Sequence, residues 1–252
     1  MALTAGLAVA LALFGILIGR IPVAAAANGQ AASSGSPPSG SGGLVDPTNL
    51  LAPPRAWILV DVSNGHVLGG SNIHQDLSPA SLSKLVTAII AVTQLPANAE
   101  VTLLASEPAL PPLMLGMKPG TPWPFTDALE GLLMISANDA AVAIADTVAG
   151  SRPAFSLVMR SYGQLMGLVD HPTLEDPAGL DDGQASLGLG NRVSAFDMAT
   201  IARDSLSIPL LAGIVKTQQF SFVAPGGVPY SLTNINGFLT SYPGAIGIKT
   251  GY

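Results

Sequence analysis

Between Arg55 and Tyr252 the spacing of hydrophobic and polar positions changes several times, and each change predicts an element. Ala56 to Asp61 (Ala-Trp-Ile-Leu-Val-Asp) is an apolar run of strand length. Val62-Ser63 follow, then Asn64-Gly65, then His66-Val67-Leu68. Asn-Gly between apolar runs is a strong short-range hairpin signal, so the folded region is predicted to open on an antiparallel hairpin. Leu85 to Leu95 is apolar and follows Pro79-Ala80. Proline just ahead of a helix start is well placed, and a largely apolar helix belongs in a core. Further helices are predicted over Leu129 to Ile135, Ala140 to Val148, residues 154–169 and Ala195 to Leu206. Asn138-Asp139 open the second of these and Gly150 stops it. Asp176 to Gly190, with its glycines and acidic residues, reads as loop. Gln219 to Val223 and Tyr230 to Thr233 read as short strands turning at Pro225-Gly226-Gly227, and Ile246 to Thr250 as the start of a last strand. No internal repeat is present. Strands at both ends and helices between them predict an α+β domain, an antiparallel sheet packed by helices.

The chain ahead of this domain has a different character. Ala2 to Ile18 is almost wholly apolar, Arg20 and Pro22 interrupt, and Val23-Ala24-Ala25-Ala26-Ala27 then leads to Asn28. An apolar stretch followed by an Ala-x-Ala site reads as a signal peptide, residues 1–27. The basic segment that normally precedes it is missing apart from the amino terminus. Two explanations fit: a start placed too far downstream, or a short uncleaved membrane anchor. Residues 28–54 are rich in Ser, Gly, Pro and Ala. Such a composition buries too little apolar surface to order itself, and the segment is expected to be a flexible spacer ahead of a domain over 55–252.

Composition narrows the function. Hydrophobic residues make up 48% and charged residues 10%, ample for a core. The net charge is −6, the wrong sign for a nucleic-acid partner, and no Lys/Arg cluster suggests anionic lipid. With no cysteine, disulfides and thiolate metal sites are excluded. No metal-ligand spacing such as His-x-x-x-His occurs, and no cofactor is expected.

Three short motifs carry the candidate chemistry: Ser81-Leu82-Ser83-Lys84, Ser136-Ala137-Asn138 and Lys249-Thr250-Gly251. The chain has four lysines, and two of them, Lys84 and Lys249, fall within these motifs. With Ser81 in the first turn of a helix, Lys84 lies three residues on and on the same face, so the spacing brings an amine to a hydroxyl. Pro79-Ala80-Ser81-Leu82-Ser83-Lys84, Ser136-Ala137-Asn138-Asp139-Ala140-Ala141 and Gly247-Ile248-Lys249-Thr250-Gly251-Tyr252 together resemble the D-alanyl-D-alanine carboxypeptidases of the low-molecular-mass penicillin-binding proteins. Ala178-Gly179-Leu180-Asp181 and Thr233-Asn234-Ile235-Asn236 match lesser landmarks of that family. Each motif alone is weak; the ordered set is specific.

The resemblance implies a β-lactamase/transpeptidase-like fold, an antiparallel sheet flanked by helices. In that family two further strands follow the third motif. This chain stops at Tyr252, so a sheet without its closing strands is expected. The resemblance also implies roles. Ser81 is the nucleophile and Lys84 its base, which requires the lysine to be neutral. Burial and a neighbouring cation, Lys249, are the means of lowering its pKa. Ser136 relays a proton and Asn138 holds the substrate's amide, although both residue types also suit a helix N-cap. Lys249 and Thr250 bind the terminal carboxylate, and Gly251 leaves room for substrate along a strand edge. The backbone N–H groups of Ser81 and Tyr252 form the oxyanion hole.

The implied activity is a serine-type carboxypeptidase acting in the cell envelope on peptidoglycan stem peptides ending in D-Ala-D-Ala, with β-lactams as inhibitors. An uncleaved N-terminal segment would tie it to the cytoplasmic membrane. Two rivals stay open. A class A-like β-lactamase shares the same first half, but no Glu-x-x-Leu-Asn stretch is present. A non-catalytic penicillin-binding or sensor module is disfavoured by the intact motifs. His66, His74 and His171 leave a Ser-His-Asp triad as a weaker possibility. Trp57 and Trp123 are expected to pack, with Trp123 a possible groove residue, and Glu175-Asp176 to lie in a solvated loop.

Overall fold

The computed structural model describes residues 53–104, 109–180 and 190–251. The signal peptide or anchor expected over 1–27, nearly all of the expected spacer, Asp181 and Tyr252 lie outside the described residues.

The predicted hairpin is present: β1 (Trp57–Val60) pairs antiparallel with β2 (Val67–Ser71). Its turn is held by Asp61, whose carboxylate accepts from the Ser63 amide and hydroxyl and from the Asn64 side chain. Gly65 takes φ +78° there, and a Cβ would collide with the Arg203 guanidinium. Trp57 faces outward and is 45% exposed; its ring packs over Gly69 of β2 at the surface.

A single 3₁₀ turn, Ala80–Ser83, runs into α1 (Lys84–Gln94). Lys84 to Ala91 are all buried, which makes α1 the central helix its apolar sequence predicts. The short strands β3 (Glu100–Val101) and β4 (Trp123–Pro124) pair, and α2 (Phe125–Met134) follows. Next come α3 (Asn138–Ala149) and α4 (Arg152–Leu165). Nine consecutive residues of α3, Asn138 to Asp146, are buried. Alanines at 140, 141, 143 and 145 keep that helix thin, so neighbouring helices can approach on every side. Ser151 caps α4 by accepting from the Ala154 amide, and Ser194 caps α5 (Ala195–Ser207) by accepting from the Asp197 amide.

Two short helices, α6 (Pro209–Val215) and α7 (Phe238–Ser241), are additions to the predicted set. Between them β5 (Gln219–Ala224) and β6 (Val228–Thr233) form the expected hairpin in continuous register. Its inner aromatics, Phe222 and Tyr230, meet the buried Trp123 edge-on. The Tyr230 hydroxyl donates to the Leu115 carbonyl at 2.8 Å.

The fold is α+β, as predicted. Among the described residues the strands form three separate two-stranded antiparallel ladders. The last predicted strand is absent: 246–250 is irregular. A strand needs a partner ladder to fix its hydrogen bonds, and none lies along this segment among the described residues. Gly247 instead takes φ +133° and packs its Cα against Val215 of α6. No single helix among the described residues is long and apolar enough to cross a membrane.

Candidate active site

The nucleophile candidate sits on a strained turn. Ala80, immediately before Ser81, has φ +46°. Left-handed conformations are uncommon and costly for residues with a Cβ. Ser136, at φ +62°, shares this property. It lies on the three-residue link between α2 and α3, so the turn that joins these helices also delivers Ser136 and Asn138.

Lys84 joins the parts. It is 0% exposed, at the junction of the 3₁₀ turn and α1. Its Nζ lies 2.9 Å from Ser81 Oγ, 2.9 Å from Asn138 Oδ1 and 2.6 Å from the Ala178 carbonyl oxygen. The orientation of Asn138 is fixed independently, because its Nδ2 donates to the carbonyls of Pro111 and Pro112. Its Oδ1 must therefore face the lysine.

This arrangement sorts the two protonation states. As an ammonium, Lys84 has three N–H groups and three acceptors. As an amine it has two N–H groups and one lone pair. Asn138 Oδ1 and the Ala178 carbonyl can only accept. The lone pair is left facing Ser81 Oγ, the one partner that carries its own proton. Burial, then the nearby Lys249 cation, lower the Lys84 pKa from 10.5 to about 7, against an opposing pull from Asp176. The shift corresponds to roughly 5 kcal/mol of bias against the ammonium. Burial likewise lowers Lys249 to about 8.

Both Nδ2 protons of Asn138 are committed to the proline carbonyls, so a substrate amide could meet only the second lone pair of Oδ1, and Asn138 does not cap its own helix. Ser136 is 1% exposed, and its Oγ has no hydrogen-bond partner among the described residues. The cap reading fails for it too, since α3 begins at Asn138 with no side-chain cap. A buried hydroxyl without a partner is unusual, and it is consistent with a group kept for a transient partner.

The third motif packs on the first. A Cβ at Gly251 would lie 3.1 Å from the Pro79 carbonyl oxygen and 3.3 Å from Leu82 Cγ. A side chain there would press on the turn that carries Ser81, a reason for glycine in addition to the substrate room expected. The half-buried Lys249 donates to the Thr250 carbonyl at 2.8 Å.

Other candidates resolve differently. His74 and Ser194 both bond the carboxylate of Asp170, at 3.0 Å and 2.5 Å. Ser194 is fully buried and caps α5, so this cluster is a structural clamp and not a Ser-His-Asp relay. Asp176 corrects the solvated-loop expectation: it is 0% exposed and paired with Arg152. Glu175 is also largely covered and pairs with Arg160.

Two parts of the site carried no signal in the motifs. Asp139 receives the amides of Leu115, Gly116 and Met117, which braces the loop whose prolines hold Asn138. The Ala178 carbonyl is a backbone group; the Ala178-Gly179-Leu180 landmark was its one trace in the sequence.

Comparison with known proteins gives the family. The family described as D-alanyl-D-alanine carboxypeptidase matches residues 50–252. D-alanyl-D-alanine carboxypeptidase DacB2 of Mycobacterium tuberculosis is 31% identical over 79% of this chain and 66% of its own length. D-alanyl-D-alanine carboxypeptidase DacC of Escherichia coli is 34% identical over 67% of this chain and 43% of its own length. The chain thus spans about half to two thirds of these relatives. Among solved structures, penicillin binding protein 6B from Escherichia coli superposes with a TM-score of 0.65 at 28% identity, covering 79% of this chain and 65% of that one. The ordered motifs, the lysine-centred site they build and a family match over four fifths of the sequence lead to one assignment: this chain belongs to the D-alanyl-D-alanine carboxypeptidase family.

Proposed function

We propose that the chain is the catalytic part of a serine-type D-alanyl-D-alanine carboxypeptidase that removes the terminal D-alanine from peptidoglycan stem peptides. One observation carries the reading. The Lys84 amine is 2.9 Å from Ser81 Oγ, and its other two partners only accept.

Neutral Lys84 takes the Ser81 proton as Oγ bonds to the penultimate carbonyl carbon. The oxyanion is held by the Ser81 amide and, in the full site, that of Tyr252. Collapse breaks the C–N bond. The leaving D-alanine nitrogen receives the proton from Lys84, relayed by the Ser136 hydroxyl. Water then adds to the acyl ester, Lys84 takes its proton, and Ser81 Oγ departs and regains that proton. The sum is peptide plus water giving the shortened peptide and D-alanine, with no cofactor. Lys249 and Thr250 bind the substrate's carboxylate, and Asn138 orients the base. A β-lactam presents its amide at the same place and leaves Ser81 acylated; the similarity to penicillin binding protein 6B supports this.

The same reading has residues 1–27 exporting the protein or anchoring it to the cytoplasmic membrane, and 28–54 spacing the domain from it in the cell envelope. The β-lactamase alternative is weakened because the Asp176 carboxylate, near where a deacylating acid would be expected, is occupied by Arg152 and by the amides of Ala178 and Leu180. Release of D-alanine from a diacyl-Lys-D-Ala-D-Ala peptide, with a long-lived penicillin adduct, is the expected result. Rapid turnover of a chromogenic cephalosporin without peptide cleavage would overturn the proposal.

A further inference from the structure

The segment that supplies the Ala178 carbonyl is anchored by a buried charge pair. Asp176 Oδ2 accepts from Arg152 Nη2 at 2.7 Å, and the two side chains are 0% and 5% exposed. Asp176 Oδ1 accepts from the amides of Ala178 at 2.8 Å and Leu180 at 3.1 Å. Asn191 grips the same stretch: its Oδ1 accepts from the amides of Glu175 and Asp176, and its Nδ2 donates to the Asp176 carbonyl at 2.8 Å. From α1, Thr87 donates to the Pro177 carbonyl at 2.7 Å. Every residue from 175 to 178 is thereby tied down immediately around the carbonyl that meets Lys84.

As an anchor alone, an ion pair is a poor choice. Desolvating two charges is costly, and apolar residues of similar volume often hold a core as well or better. The charges make sense through what lies beside them. Asp176 acts on Lys84, a group that must lose a proton, and an uncompensated carboxylate there would keep it. Among the described residues, the charges acting on Lys84 are Lys249 from the C-terminal segment and Asp176 from this loop, with Arg152 of α4 paired to Asp176. The side chains of α1 that follow Lys84 are uncharged, and Asp139 of α3 is committed to the amides of 115–117.

We infer that Arg152, Asp176 and Asn191 are the positioning residues of the Lys84 base. They hold the Ala178 carbonyl on Nζ, so that the lone pair faces Ser81, and Arg152 offsets part of the Asp176 charge that favours a protonated amine. The inference rests on the reading of Ser81 and Lys84 as nucleophile and base.

The test uses the full chain labelled with ¹³Cε-lysine. Its four lysines give four signals, and the Lys84 signal is the one lost in Lys84→Met. Each variant is titrated by NMR from acid to alkaline pH, alongside the pH dependence of its acylation by benzylpenicillin. Asp176→Asn should lower the Lys84 midpoint and the acid limb of acylation by about one pH unit, and Arg152→Met should raise both by a similar amount. Arg152→Lys should leave both near the parent values. The double variant Asp176→Asn/Arg152→Met removes both charges of this pair and should fall between the singles. It also keeps the test open if a single variant fails to fold. An unchanged Lys84 midpoint in all folded variants, whatever their stability, would overturn the inference. If the midpoints move as expected while the parent is not acylated at Ser81, the inference stands and the proposed activity falls.

Discussion

Gly179 rests its Cα against the carbonyl of Ala80, leaving no room for a side chain between the two. Both residues hold positive φ, +73° and +46°. The contact clamps the turn that carries Ser81 to the loop that carries the Ala178 carbonyl, so the proposed nucleophile and a hydrogen-bond acceptor of the proposed base are set by one backbone junction.

Gly179→Ala should therefore injure the site and the fold together. The added methyl must displace backbone, and the left-handed conformation adds its own cost; together about 2–4 kcal/mol of stability is expected to be lost. Urea unfolding measures the loss, and acylation by a fluorescent penicillin should drop at least tenfold in whatever protein remains folded. Parent-like stability and labelling would show that the loop can move away without consequence.

The Lys84 pKa makes two predictions about pH. In the proposed mechanism acylation requires the amine, so its rate should rise through about pH 7 and level off above. Lys249→Ala removes a cation that helps depress this pKa, and should move the limb upward. Stability follows the same group. Unfolded, the lysine keeps its proton to about 10.5; folded, it releases it near 7. Between these values the unfolded state binds more protons, so the folded state gains stability as pH rises. Lys84→Met lacks this gain. The stability of the parent relative to Lys84→Met should be flat below about pH 7 and climb above it, by up to about 5 kcal/mol. Chemical unfolding at several pH values reads this difference directly, and a flat difference throughout would contradict a neutral buried lysine.

Ser136 separates strain from chemistry. Glycine accepts φ +62° without the steric cost that alanine bears, so Ser136→Gly should be more stable than Ser136→Ala by about 1 kcal/mol. Both lose the hydroxyl. As a proton relay its removal should slow acylation by roughly 10²–10⁴-fold in each. Stopped-flow acylation compares them, and parent-like rates in the alanine variant would remove Ser136 from the mechanism.

Local signals carried the fold where they were strong. Asn64-Gly65 marked the first hairpin, and the apolar run behind Pro79 marked α1. Helices α6 and α7 escaped because a seven-residue and a four-residue helix are too short to show a period. The strand read at 246–250 failed because its apolar residues pack on α6 through Gly247, a tertiary choice that composition does not reveal. In the site, Ser81 and Lys84 were legible because one helical turn joins them. Asn138 reaches Lys84 across 54 positions, and only the resemblance placed them together. Asp176 was misread because its partners Arg152 and Asn191 lie 24 and 15 positions away. Nothing nearby in sequence distinguishes a buried acid in a loop from a solvated one.

The account's central claim is that Ser81 is the nucleophile that Lys84 activates. Treating the full chain with benzylpenicillin, digesting it and mapping the adduct by mass spectrometry tests this most directly. The penicilloyl group should be found on Ser81 alone, and should be lost in Ser81→Ala and in Lys84→Ala alike. An adduct on any other residue, or one on Ser81 that forms at the parent rate in Lys84→Ala, would contradict the claim.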